Sequence, residues 1–296
     1  MTRYFYKSLL IFVLVFSTVC SFGQSLIKDD LIKNDSKISS LKFGVNYLSN
    51  SVFMGRSDTV RIPVITPNIK YTFRSGIFVA GSLDYLPNSK SKELASGDLS
   101  AGYDFDLTDN LDGSVSFTKS FYNTKSPLIA SSQSALVNVS LNYDFGKIIT
   151  PSLSADYVFN KQGDKNDIFL SASLSHAFIA TSLFNAKDIL IISPAATLNT
   201  GTQNFYDSFL VNKKGKNEAK TASLNKLMAA KRDDLAKFKV LDYEFSVPVE
   251  YKIKHFIFTL TPTYSIAQNK LPEDISTELS NKSKLFNLEM GIALKF

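Results

Sequence analysis

From Leu41 onward, large apolar side chains return at every second position in runs of roughly ten residues, and this alternation restricts the available folds more than any motif does. In "ALVNVSLNYDF", Ala135, Val137, Val139, Leu141, Tyr143 and Phe145 fall on one face of an extended chain. Asn138, Ser140, Asn142 and Asp144 fall on the other. In "LDYEFSVPVEY", Leu241, Tyr243, Phe245, Val247, Val249 and Tyr251 oppose Asp242, Glu244, Ser246 and Glu250. A strand sends successive side chains to opposite sides, so each run reads as a strand with one apolar and one polar face. Twelve runs follow this rule: 41–49, 60–73, 76–86, 97–106, 110–121, 134–145, 147–159, 167–180, 187–199, 239–252, 254–267 and 284–296. The expectation is an all-β, antiparallel fold.

The joints between the runs select the kind of β fold. Short ones ("RSG", "LTDN", Gly146, "SLFNAK", and Ile253 with Lys254) alternate with long polar ones such as "PNSKSKELAS", "YNTKSPLIASSQ" and residues 200–238. A transmembrane β-barrel has this arrangement, with tight periplasmic turns and extended outer loops. Aromatic residues fit the same geometry. Tyr71, Phe73, Tyr103, Phe105, Tyr143, Phe145, Tyr251, Phe256 and Phe296 lie near the short-turn ends, and Tyr47, Tyr85, Tyr157, Tyr243 and Tyr264 lie toward the loop ends. Two such rings suit the two interfaces of a bilayer. Pro67, Pro151, Pro248 and Pro262 each remove a ladder donor and predict local irregularity. A soluble β-sandwich or lipocalin-like protein would share the alternation, but not the alternating joint lengths and terminal aromatic together.

The first residues, "MTRYFYKSLLIFVLVFSTVCSFGQ", have the parts of a secretory signal peptide. Arg3 and Lys7 supply the positive end, Leu9 to Phe16 the apolar run, and Ser21 and Gly23 the small residues before a cut ahead of Gln24. The apolar run is shorter than the roughly 20 residues a membrane-spanning helix needs. Acylation of Cys20, the single cysteine, is the alternative, and bulky Val19 before it argues for ordinary cleavage. The expected organisation is residues 1–23 as signal peptide, 24–40 as a periplasmic tail and 41–296 as barrel. The formal charge of +6 falls to +4 without Arg3 and Lys7, too mild to argue for nucleic acid.

After the leader, the chain resembles Gram-negative outer-membrane β-barrel proteins of the porin-like kind. The most specific element is the final strand, "LFNLEMGIALKF", with Phe286, Leu288, Met290, Ile292, Leu294 and Phe296 on one face. The resemblance implies that this strand closes the barrel and is read by the barrel-assembly machinery. The stretch "SVFMGRSDTVRIPVITPNIKYTFRSGIFVAGSLDY" is similar to the first hairpins of porin-like families of the TorF or MipA kind. A bacterial outer-membrane location, with outer-membrane lipid and lipopolysaccharide as surroundings, is implied with it.

What the barrel does must be read from its polar face. Ser114, Ser116, Thr118, Asn138, Ser140, Ser152, Ser154, Ser171, Ser173, Ser175, Thr259, Thr261 and Thr263 are small and hydrophilic, which favours a hydrated lumen over a packed interior. Asp84, Asp98, Asp104, Asp144, Asp156, Glu244, Glu250 and Glu289 are expected inside with Lys42 and Lys70, and acids facing water would favour cations. Glu289, Lys42 and Lys70 lie on neighbouring strands and are expected to pair across the closure. The leading reading is a porin-like channel for passive diffusion of small hydrophilic solutes or ions. A closed barrel working as an adhesin, scaffold or ligand-binding protein through its loops is the alternative. A lipid-modifying outer-membrane enzyme would need a poised histidine. His176 and His255 are the candidates, and both fall where interfacial anchoring is the simpler role. No catalytic residue, cofactor or metal ligand set is expected. In the long loop, Leu224, Leu227, Met228, Lys231, Leu235 and Phe238 approximate one helical face, which could cap the mouth, fold inward or meet lipid phosphates through Lys231 and Arg232.

Overall fold

The computed structural model describes residues 38–57, 60–88, 94–123, 126–146, 148–161, 165–205, 233–268 and 282–296. The signal-peptide and lipoprotein readings lie outside these residues, as does most of the helical reading of the long loop. The elements are β1 (Ser40–Leu48), β2 (Val52–Phe53), β3 (Arg56–Ser57), β4 (Val64–Thr72), β5 (Ile77–Tyr85), β6 (Leu94–Thr108) and β7 (Leu111–Tyr122). A 3₁₀ turn at Ile129–Ser132 precedes β8 (Gln133–Tyr143), β9 (Thr150–Asn160), β10 (Asp167–Ser175), β11 (Phe178–Thr181) and β12 (Ile189–Ile192). Then come β13 (Ala195–Gly201), β14 (Lys239–Ser246), β15 (Val249–Ile253), β16 (Phe256–Ala267) and β17 (Lys284–Lys295).

These strands make a closed, twelve-stranded antiparallel barrel. β10 and β11, β12 and β13, and β14 and β15 each count as one stave, and the β2–β3 hairpin stands outside the wall. Each stave pairs with the next in sequence, and β17 pairs with both β16 and β1. The seam runs from Lys42↔Lys295 to Leu48↔Glu289, and Leu41 and Phe296 extend it with reciprocal backbone hydrogen bonds of 2.9 Å. Three staves are interrupted at one level: β10 and β11 are parted by His176 and Ala177, β12 and β13 by Ser193 and Pro194, and β14 and β15 by Val247 and Pro248. The His176 N–H still donates to the Pro194 carbonyl at 3.2 Å, and the Ser193 N–H to the Pro248 carbonyl at 2.8 Å. Proline breaks the ladder here as its missing N–H requires. Pro67, Pro151 and Pro262 stay within continuous strands.

The wall is greasy outside and polar inside. Val139, Leu141, Leu153, Leu170, Phe258, Met290 and Ile292 are all exposed, although their strands are hydrogen-bonded on both sides. Large side chains left bare around a complete circumference are what a hydrocarbon solvent accepts and water does not. Phe78, Ile257 and Ala293 are buried near the short turns, but most of the buried apolar residues gather inside the barrel at its long-loop end. One cluster joins Ile129, Val158, Phe169, Phe205, Leu235 and Leu241, and a second joins Val64, Leu86, Ala95 and Leu128. Leu241 corrects the alternation read from sequence. Asn199 pairs with Asp242 but Thr200 with Val240, so Leu241 is the extra residue of a bulge and turns inward, where it is 1% exposed.

The short turn between β11 and β12 is built around a carboxylate. Asp188 accepts the N–H groups of Leu183 and Phe184 at 2.8 Å each and of Asn185 at 3.0 Å, and the Tyr251 hydroxyl donates to it at 2.8 Å. Burial alone would raise its pKa, but these donors favour the charged form and hold it below the ordinary carboxylate value. A depressed folded pKa gives stability that is present above the unfolded value, ~3.9, and lost as pH falls through the folded one. Asp188→Asn should therefore lower the urea midpoint at pH 7, and the two proteins should converge at acid pH. Tyrosine fluorescence of barrels refolded in vesicles reads this directly, because the chain has no tryptophan.

Candidate functional site: a polar lumen beneath an apolar constriction

Between the ends of the barrel the inward residues are hydroxyls, amides and carboxylates bonded to their cross-strand neighbours. Ser100 and Thr118 share a hydrogen bond of 2.8 Å, Thr197 donates to Ser173 at 3.0 Å, and Asn138 donates to Asp156 at 2.5 Å. Asp84 accepts from Thr66 at 2.8 Å and Ser96 at 2.6 Å. Asp104 accepts from Ser114 at 2.8 Å and from Lys70 at 3.1 Å, with the Lys70 ammonium also 3.8 Å from the centre of the Phe78 ring. Ser100, Thr118, Asn138, Ser171, Ser173, Thr197, Thr259 and Thr261 are only half-buried, so water reaches this part of the lumen.

Toward the long-loop end the same inward face becomes dry. Ser96, Asp167, Asp242 and Ser265 are buried, as are Val158, Phe169 and Leu241. The closure comes from the first long connection, whose β2–β3 hairpin turns into the mouth. Met54 (φ 48°) and Gly55 (φ 70°) form a two-residue turn with both central residues left-handed, the geometry a tight hairpin favours. Gly55 is required twice over: besides its φ, a Cβ there would stand 2.7 Å from the Asp242 Cβ. Phe53 makes edge-on contacts with Phe169 and Phe205, with ring centres 5.7 and 5.1 Å apart, and Met54 packs on the same cluster.

A charge is buried with the hairpin. Arg56 is 1% exposed and its Nε and Nη2 have no protein partner. It interacts electrostatically with Asp242, whose Oδ1 accepts from Asn199 at 2.6 Å while Oδ2 is unbonded. Each unsatisfied buried group costs about 1–3 kcal/mol. The closed mouth is therefore held by apolar packing and opposed by its own polar groups.

The residues singled out in the sequence are distributed over this frame. Asp84, Asp98, Asp104, Asp156, Glu244, Glu289, Lys42 and Lys70 fall on the inward face by register. Glu244 accepts from Ser265 at 3.2 Å, and Glu250 is paired with Lys252 at 3.0 Å. Asp144 lies past the end of β8, at the turn before β9. The expected Glu289–Lys42–Lys70 network is replaced by other partners: Glu289 accepts from Asn46 at 3.0 Å and Lys70 goes to Asp104. Lys42 stands opposite Lys70 on one side and Lys295 on the other. His176 Nδ1 lies 2.5 Å from the Ile148 carbonyl oxygen, and His255 Nδ1 lies 2.9 Å from that of Lys295 while its ring stacks on Phe296. Among the described residues, no group of three or more His, Cys, Asp or Glu could hold a metal ion. Phe286, Leu288, Met290, Ile292, Leu294 and Phe296 form the outward face of the closing stave. Arg56, Phe169 and Asp242 were not anticipated at the constriction. The apolar "VFM" inside a nominally polar loop was the available signal.

No protein-family model matches the chain, and no curated protein sequence does, so the resemblance to porins of the TorF or MipA kind has no such match behind it. Solved structures that are similar include the KdgM porin (TM-score 0.47, 10% identity, covering 87% of this chain and 99% of that one). The COG4313 outer membrane channel from Pseudomonas putida F1 has a TM-score of 0.47 at 10% identity over 88% of this chain and 96% of that one. LpxR from Salmonella typhimurium has a TM-score of 0.45 at 7% identity over 86% and 99%. At these scores the assignment rests on the molecule itself, a closed twelve-stranded antiparallel wall that is apolar outside and polar within.

Proposed function

We propose that the chain is an outer-membrane channel for passive movement of small hydrophilic solutes or ions, narrowed at its loop-side mouth by the β2–β3 hairpin. The observation that carries this reading is the water-accessible, hydroxyl- and carboxylate-lined lumen below the constriction. Asp84, Asp98, Asp156, Glu244 and Glu289 give that lining a negative sign, and such rings favour cations. In this reading the leader exports the chain, and the outward face of β17 is what the barrel-assembly machinery reads. A second reading, a closed barrel that acts through its loops, is favoured by the buried apolar cluster in the mouth. The test is single-channel conductance of refolded protein in a planar bilayer under a salt gradient. A cation-preferring conductance that weakens in the Asp84→Asn, Asp98→Asn double variant supports the channel. Silence of both the native chain and a hairpin-deleted one, in barrels shown to be folded, supports the closed barrel.

A further inference from the structure

Among the described residues, Lys119 on β7 and Lys284 at the start of β17 are charged side chains on the apolar, outward side of the wall, and Lys119 has a groove beside it. Val115, Phe117, Lys119 and Phe121 share the outward face of β7, and Lys119 is exposed there, three residues before the strand ends at Tyr122. Register places it at the end of a continuous cross-strand row, Phe43↔Ile69↔Gly81↔Leu99↔Lys119. A row over five strands spans roughly 19 Å at the usual strand spacing. It climbs from Phe43, the fourth of nine residues in β1, to near the long-loop end at Lys119, a rise of roughly 12 Å at a strand tilt of about 40°.

The row is also hollow. A groove of about 860 Å³ is lined by Phe43, Ile69, Gly81, Leu83, Leu99 and Phe121, among others. Gly81 opens its middle, and the backbone does not require glycine there. A Cβ would meet Leu99 at 3.6 Å, the Asp98 carbonyl at 3.7 Å and Ile69 at 3.9 Å, all ordinary contacts. The missing side chain is a gap in an otherwise bulky face. A second lysine stands above the end of β7: the Lys161 ammonium is 4.5 Å from the centre of the inward-facing Tyr122 ring. Burial, and after it the nearby Lys119 charge, hold its pKa below the ordinary lysine value.

We propose that this groove and Lys119 form a binding site for a phosphorylated, multiply acylated glycolipid of the outer leaflet. An acyl chain lies along the Gly81 row and a phosphate meets Lys119, with Lys161 behind it. The groove lies in the wall itself, so its occupant must be at home in hydrocarbon. The cation sits only at the loop end, so the occupant must carry its negative charge at one end. The rise of the row is comparable to one leaflet's share of the hydrocarbon, about 15 Å. The site rests on the outer-membrane reading of the barrel but not on conduction.

The test is lipid retained by the full-length barrel through detergent exchange, read by native mass spectrometry beside a heat-modifiability gel that reports folding. Purified lipid A is the probe, and phosphatidylglycerol is the competitor. The native chain should hold lipid A, Gly81→Leu and Lys119→Glu should lose it at least tenfold while remaining heat-modifiable, and Lys119→Arg should keep it. Equal retention by all variants, or equal retention of phosphatidylglycerol, overturns the proposal. A Gly81-dependent dimer without bound lipid would overturn it in favour of a second copy of the chain. Loss of heat-modifiability in the native chain would instead overturn the barrel reading on which the site depends.

Discussion

Phe53→Ala should turn a narrow or silent barrel into one with frequent, larger openings. The ring is the main apolar anchor of the β2–β3 hairpin, meeting Phe169 and Phe205 edge-on in the mouth. Truncating a well-packed phenylalanine costs about 3 kcal/mol, and the cost falls on the closed arrangement alone, since an open hairpin leaves the ring in water. A difference of that size shifts a closed-to-open ratio by about 100-fold. Asp242→Asn should act in the same direction by another route. It removes the carboxylate beside a guanidinium that is 1% exposed, and an uncompensated buried charge is strongly unfavourable. Adding Arg56→Met to Asp242→Asn should restore much of the closure, because an apolar chain of similar length can stay buried without a partner. Single-channel records of the three variants, with open probability as the readout, check the set. Unchanged open probability in Phe53→Ala and Asp242→Asn would mean the hairpin does not control the passage.

Much of the wall was legible because period two is a local property. "ALVNVSLNYDF" states its two faces without reference to any other strand, and its alternation carries through β8. Strand ends were legible to within a few residues where a turn marks them, as at "RSG" before β5. The constriction was not legible, because it depends on where a loop goes after it leaves the wall. "SVFMGRS" contains its own small hairpin, but only the depth of the mouth decides that Phe53 meets Phe169 and Phe205 rather than water. Leu241 was misplaced for a related reason. A single extra residue in β14 moves a side chain to the other face, and nothing in the local pattern distinguishes a bulge from continued alternation. The Glu289–Lys42–Lys70 pairing failed because strand adjacency fixes backbones, not the reach of side chains. Asn46 is nearer to Glu289, and Asp104 lies within reach of Lys70.

Val139→Lys should destabilise the barrel by ~2–4 kcal/mol, whereas Ser140→Lys, one residue along, should change stability by less than about 0.5 kcal/mol. Both residues sit well inside β8, so backbone pairing does not distinguish them. Val139 lies between Val115 and Ala155 on the outward face and is exposed. A lysine there must hold its ammonium in hydrocarbon or bend the wall to reach a headgroup. Ser140 lies between Ser114 and Ser154 on the inward face and is half-buried among hydroxyls. A lysine there can reach water in the lumen, and the inward acids reduce its cost further. Urea unfolding of vesicle-refolded variants, followed by tyrosine fluorescence, gives the two differences on one scale. A soluble barrel would reverse them, since its exterior would welcome the charge and its interior would not. Reversal would turn the exposed apolar circumference into an interface for something other than lipid. The expected order ties the assignment of faces, read from sequence alternation and seen in the closed wall, to the solvent on each side.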